Sequence, residues 1–415
     1  MTLIRFLRDN APFLAAGALL SFGSSFGQTF FISIFAGEIR AEFGLSHGAW
    51  GGIYTLGTTL SALVMIWAGG LTDRFRARRL GPAAMTLLAL GCLCMAVLPG
   101  SWGWALVPVI FLLRFAGQGM LTHISVVAMA RWFAAGRGKA LSIASMGVAL
   151  GQAVLPVIFV AGLGLIDWRL LWVAAAALSL MAVPLALRLL RRERTPQSIA
   201  QDSQSLGMEG RHWTRLGTVR HWLFWMLVPA LMGPPAWGTA LFFQQVHLAE
   251  VKPWSLGQWV ALMPVFTGMT IAGTFAAGAA LDRLGTARLM PFLMLPWTLA
   301  FLVLSQADGL GLAALGLAIA GFGGGVQAVL PGAFWAEFYG TRHIGAIKSA
   351  AAAVMVLGTA IGPGVSGVLI DRGIDFPDQM LGIAAYLGLA GLLLAIGVRR
   401  AARLLPISEP LVRAA

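Results

Sequence analysis

The chain is 415 residues long, 58% hydrophobic and only 11% charged, with a formal net charge of +13. So low a charged fraction excludes an ordinary water-soluble domain, where about a quarter of residues are charged. The two cysteines, Cys92 and Cys94, stand two apart on one apolar run and so point about 200° away from each other, which excludes a disulfide or a metal pair between them.

Apolar runs of roughly 20 residues, each long enough as a helix to cross about 30 Å of hydrocarbon, recur from end to end. They fall at 12–36, 49–70, 80–99, 103–130, 138–163, 169–189, 222–247, 256–281, 288–306, 310–335, 346–370 and 380–398. None alternates as a barrel strand does, and backbone groups in lipid must bond within their own segment, so an all-α membrane protein of twelve transmembrane helices is predicted. The first run is too long for a signal-peptide core and reads as a retained helix.

Most Lys and Arg residues lie at the amino terminus, in the even-numbered connections and in the carboxyl tail; Arg40, Arg169, Lys252 and Arg372 lie on the other side, and Arg114 is inside a helix. Both termini are therefore expected in the cytoplasm, with the chain in a bacterial-type inner membrane. The cations sit beside helix ends in many short loops, so the partner of this charge is the lipid bilayer and not nucleic acid. One polar stretch, Arg191 to His221, divides the chain into six helices and six helices, giving bundles at 1–190 and 222–415 joined by a cytoplasmic linker at 191–221 with a short surface helix.

The two bundles repeat each other. GGLTDRFRARR (Gly69 to Arg79) follows the second helix and GAALDRLGTAR (Gly278 to Arg288) the eighth; Pro156 with Pro363, and IDW (Ile166 to Trp168) with IDF (Ile374 to Phe376), keep nearly the same offset of about 208 residues. Twelve helices in two halves, a long central loop and the G-x-L-x-D-R signature resemble the major facilitator superfamily over essentially the whole chain. The resemblance implies that Asp73 and Arg74, supported by Arg78, and Asp282 and Arg283 in the second half, form a charge relay that locks the cytoplasmic side. Arg76 stands where that family usually has glycine.

Arg114, in FLLRFAGQGM, falls about 18 Å along its helix from Trp102 and so near the bilayer midplane. An unpaired guanidinium there costs at least a few kcal/mol, so it should face a wet cavity or a partner. Gln118, Thr122 and Ser125 follow at helical spacing and make one polar stripe, expected to line a central cavity; bonding to the carbonyls of a neighbouring helix is the structural alternative. Gln28, Tyr54, Gln152, Trp237, Gln327 and Trp335 are further polar or aromatic residues at mid-membrane depth and complete the predicted substrate-binding set. Gly147 with Gly151 before Pro156, and Gly358 with Gly362 before Pro363, read as packing and hinge devices.

None of the 16 acidic residues falls inside a predicted helix, so a buried cation would find no carboxylate, and the sign favours an anionic or neutral substrate. His123 is expected to pack; His247 reads as a surface or gate residue, and His47, His212, His221 and His343 as loop or helix-end residues. WFAAGRGKALSIASMGVALGQAVLP (Trp132 to Pro156) followed by DWR resembles the monocarboxylate and oxalate transporter branch, although Gln28 stands where that branch often has lysine and the eighth helix lacks its Asp and Arg.

The expectation is a secondary transporter for a small organic anion or polar metabolite, monomeric, working by alternating access with a coupled proton and no cofactor or metal. A proton-driven efflux protein for hydrophobic compounds is the alternative. An enzyme or an ATP-driven pump is disfavoured, because the helices hold no Ser/His or His/Asp/Glu cluster and the chain has no nucleotide-binding glycine loop.

Overall fold

A computed structural model describes residues 3–133, 137–191 and 206–406. Eleven of its helices are long and apolar enough to cross a membrane, and a bent pair makes a twelfth span. In chain order the spans are Arg5–Gly27 with Thr29–Phe43, His47–Ala68, Ala77–Val97, Gly100–Trp132, Gly138–Leu163, Trp168–Leu189, Trp222–Phe243, Leu256–Leu284, Thr286–Ser305, Leu310–Tyr339, Ile344–Asp371 and Phe376–Ala402. All twelve predicted runs have a counterpart, though many helices extend past the apolar window into polar ends.

The eighth span is interrupted by a turn between Val260 and Met263 and the ninth by a 3₁₀ turn at Met290–Phe292, and two further spans depart from regular helix near their middles. The first, predicted as one run over 12–36, is bent by 46° between Gly27 and Thr29. Residues Ser24–Gly27 tighten into a 3₁₀ turn and Gln28 is extended at φ −86, ψ 155. The local cause is side-chain competition for backbone: the Ser24 hydroxyl donates to Ser21 O at 2.6 Å and Ser33 to Thr29 O at 2.6 Å, while Gly27 adds flexibility. In the fourth span, Arg114–Leu121 is a π-helical segment, which shifts the phase of every residue beyond it.

The first six spans and the last six meet through the second against the eleventh and the fifth against the eighth. Hydrogen bonds join the halves at the end opposite the basic loops. Gly48 N–H donates to Asp371 Oδ2 at 2.8 Å and the Thr55 hydroxyl to Ala360 O at 2.6 Å. Ser33 reaches Phe242 O at 2.7 Å, and Gln245 Nε2 donates to Phe30 O at 3.2 Å and Ser33 Oγ at 2.9 Å. Glycines let backbones touch here: a Cβ on Gly51 would lie 2.6 Å from Pro363 O.

Residues 192–205 of the predicted linker lie outside the described residues. The remainder is anchored at the basic end of the second half: Met208 and Trp213 are buried, Glu209 N–H bonds Leu404 O at 2.7 Å, Trp213 N–H bonds Tyr339 O at 3.2 Å, and a short helix spans Arg215–Arg220.

Candidate functional site

The break in the first span is held between the fourth and fifth by glycine. A Cβ on Gly27 would run into Leu113 O; one on Gly117 would lie 2.6 Å from Gly27 Cα; one on Gly151 would collide with Ser25 Oγ. Such backbone contact has no room for side chains. Each of these glycines is followed by a glutamine, so one packing arrangement sets Gln28, Gln118 and Gln152 around the same break. All three are half-buried, and their amides make no hydrogen bond to another described residue. Half-exposed amides with unspent donors and acceptors are ready for a ligand or water.

Arg114 enters from the start of the π segment and is 1% exposed. Its Nη1 donates to Gly27 O at 3.1 Å and to Thr29 Oγ1 at 3.4 Å. Its guanidinium lies 5.3 Å from the Tyr54 ring centre, a cation–π contact, and the Tyr54 hydroxyl is 2.6 Å from Thr29 Oγ1. The helix break is what supplies the acceptor, because the carbonyl of Gly27 has left the regular ladder. Nε and Nη2 of Arg114 have no hydrogen-bond partner among the described residues.

The predicted polar stripe is corrected in direction. Ser125 donates to Gly17 O at 2.8 Å, so Arg114 and Ser125 both clasp carbonyls of the first span and do not line open space. The π segment and the broken neighbour explain this, since neither enters an ideal 3.6-residue wheel. Thr29, which now links Arg114 to Tyr54, was absent from the predicted set; a threonine in an apolar run gives no sequence signal that distinguishes it from a back-bonding one.

Of the other predicted residues, Tyr54 is 0% exposed, its ring 4.7 Å from that of Phe243, so it supports Arg114 from within the core. Trp335 is 3% exposed and packs on Phe224, Phe334 and Tyr339, away from open space. Trp237 is half-buried beside Tyr386, whose hydroxyl donates to Pro229 O at 2.9 Å. Gln327 has both amide atoms buried and without a partner among the described residues. No described hydrogen bond or ring contact joins Trp237, Gln327 or Trp335 to the Arg114 group. Of the glycines predicted as packing devices, Gly147 meets Ala18 O, and Gly358 and Gly362 meet Met232 O and Ala236 O across neighbouring spans.

Residues 17–274 match the family model of the Major Facilitator Superfamily. The chain belongs to that superfamily. A relative at 27% identity over 389 residues, covering 91% of each chain, is the 3-(3-hydroxy-phenyl)propionate transporter of Escherichia coli (strain K12). Among solved structures, a bacterial homolog of the human lysosomal transporter Spinster, inward-facing and unoccupied, matches with TM-score 0.70 at 17% identity over 96% of this chain and 99% of that one. The nucleoside transporter NupG matches with TM-score 0.69 at 16% identity, over 93% and 98% of the two chains. The D-xylose-proton symporter gives 0.69 at 14%, over 95% and 98%. At these identities the structures speak for the fold. This facilitator is thus a multi-pass membrane protein and a secondary transporter of a small molecule, and not an enzyme.

The signature loops of the facilitator lie at its basic end. The side chain of Asp73 is outside the described residues. Arg74 and Arg78 are exposed and, with Phe75, Arg76, Arg79 and Leu187, line a cleft of about 680 Å³. Asp282 and Arg283 are exposed at the end of the eighth span. Around these loops the halves use matching contacts of different chemistry: Arg131 Nη1 donates to Thr72 O at 2.6 Å in the first, and the Thr286 hydroxyl donates to Glu337 Oε2 at 2.5 Å in the second. His123 Nε2 lies 3.2 Å from Gly69 O and 3.4 Å from Thr72 Oγ1, packed on the first loop.

Proposed function

We propose that this facilitator carries a small organic anion, an aromatic monocarboxylate before others, across a bacterial-type inner membrane. The observation that carries the reading is a buried guanidinium with Nε and Nη2 unspent, beside three half-buried glutamines whose amides are unpaired within the described residues. Hydrogen bonds to carbonyl and hydroxyl oxygens leave the Arg114 charge uncompensated. A carboxylate about 5 Å from such a charge gains roughly 3 kcal/mol at an effective dielectric near 20, and a lipophilic cation loses as much. The glutamine amides suit the remaining polar atoms of a hydroxylated acid, and the half-buried pair Trp237 and Tyr386 offers aromatic surface on the opposite half.

The relative that transports 3-(3-hydroxy-phenyl)propionate is a hydroxylated aromatic carboxylate carrier, which supports the same substrate class here. The stretch from Trp132 to Pro156 supports the monocarboxylate-transporter branch only in part, since Gln28 replaces the lysine common there. In our reading the ligand is held by polar donors and by the field of Arg114, without a second carboxylate-binding cation.

The basic end is taken as cytoplasmic, with both termini there and bundles at 1–190 and 222–415 rocking as a monomer around the site. Asp73, Arg74 and Arg78, with Asp282 and Arg283, act as the gate of that side when the site faces outward. A coupled proton drives accumulation.

Thermal unfolding of the purified protein against matched panels of aromatic acids, neutral metabolites and lipophilic cations tests the reading. A ligand at about 100 times its dissociation constant adds roughly 2.7 kcal/mol to the native state. Stabilisation by the acids is expected, led by hydroxylated phenylpropionates. Stabilisation by the cations alone would replace this reading with efflux of hydrophobic compounds.

A further inference from the structure

Two histidines that the sequence leaves far apart meet where the halves close. His47 opens the second span, His247 lies on the short helix Gln245–Val251 after the seventh, and their ring centres are 4.7 Å apart. Glu250, one turn beyond His247, brings Oε2 to 3.7 Å from His247 Nδ1. One donor atom from each of His47, His247 and Glu250 lies within 4.8 Å of the others. On its far side His247 presents Nε2 to Asp375 Oδ1 at 3.3 Å.

The surroundings of His247 leave a place for a cation. Its Nε2 is buried without a hydrogen-bond partner among the described residues although Asp375 Oδ1 lies 3.3 Å away, and its Nδ1 faces the Glu250 carboxylate at 3.7 Å, beyond hydrogen-bond reach. His247 itself is 6% exposed, while Glu250 and Asp375 are each 52% exposed and leave the group open to the surrounding water. The other charges facing the pair are Asp371, whose Oδ2 is held by Gly48 N–H, and Arg40. Three carboxylates against one guanidinium leave a net negative field, of the size a divalent ion neutralises.

We propose that His47, His247 and Glu250 form a binding site for a divalent transition-metal ion, zinc being the best match, that clamps the two halves together at this end. Two imidazoles and one carboxylate plus water suit zinc, whereas magnesium and calcium prefer oxygen-only sets. Tetrahedral bonds of about 2.1 Å put ligand atoms roughly 3.4 Å from one another, so the three side chains, whose donor atoms lie within 4.8 Å here, draw together on the ion. Asp375 takes the role of the outer carboxylate that fixes a metal-bound imidazole. Because His47 belongs to one half and His247 and Glu250 to the other, the ion binds the closed arrangement and opposes opening of this side.

Titration calorimetry of tag-free protein with zinc chloride, with magnesium chloride as comparison, tests the site. One zinc per chain and a raised melting temperature are expected, with affinity at least about tenfold weaker in His47→Ala, His247→Ala and Glu250→Gln and with no response to magnesium. Glu250 is exposed, so its variant carries the test if a histidine variant does not fold. No zinc binding by the unsubstituted protein, equal affinity in the variants, or equal binding of magnesium would overturn the proposal.

Discussion

Arg114 holds its place because the groups around it offer oxygen and a ring face without a counter-charge: Gly27 O, Thr29 Oγ1 and the face of Tyr54. Glutamine at 114 could keep a bond to Gly27 O while abolishing the field. Arg114→Gln is therefore expected to fold, and to lose at least tenfold in affinity for carboxylates, read as the ligand concentration that raises the melting temperature. Lysine keeps the charge but not the planar fork, and Arg114→Lys should recover part of the affinity. If Arg114→Gln bound acids as tightly as the unsubstituted protein, this residue would be a packing element alone. Its place midway along the fourth span was legible in the sequence from one charge in an apolar run. Its direction was not, since an ideal helical wheel cannot anticipate the π segment that begins at the residue itself.

The first span shows what hydropathy reads and what it omits. An apolar window reports that residues 12–36 belong in lipid, yet the same window averages over Ser24, Ser25, Gly27 and Gln28, where the chain leaves the helix. The consequence is testable in the glycines that press on the break. A Cβ on Gly117 would sit 2.6 Å from Gly27 Cα, backbone against backbone with nothing to rotate away. Gly117→Ala should lower thermal stability by about 1–3 kcal/mol, the usual cost of overpacking. Gly268→Ala is the control: no atom lies within 4 Å of its added methyl, and helix propensity alone should leave it neutral or slightly stabilised. Equal losses in the two variants would mean that the glycine contact does not hold the break in place. The three glutamines were legible as polar residues in apolar runs, but the contacts of the glycines that precede them were not, because they depend on how the fourth and fifth spans pack on the broken first.

Over the whole molecule, the repeat was legible in the two D-R loops, and the family match with the likeness to solved facilitator structures bears out the fold it implied. What the repeat could not disclose is which end is shut. That depends on contacts between halves, such as the Thr55 hydroxyl on Ala360 O and Gly48 N–H on Asp371, whose partners are some three hundred residues apart in sequence. A cysteine pair at Thr55 and Ala360 should crosslink this end, arrest transport and release it on reduction, with ligand binding from the basic side retained. At the opposite end, Asp282→Asn should slow transport more than it weakens binding, because the gate acts on the opening step and not on the ligand. Equal losses of both would remove Asp282 from the gate.

Counterflow of a labelled hydroxylated phenylpropionate in proteoliposomes, run with the unsubstituted protein and with Arg114→Gln, tests directly whether this arginine serves an anion carrier. Saturable exchange by the former, competed by other aromatic acids, and at least a tenfold loss of apparent affinity in the variant are expected. Exchange that is absent while lipophilic cations are carried, or exchange that Arg114→Gln leaves unchanged, would contradict an anion carrier built around this arginine.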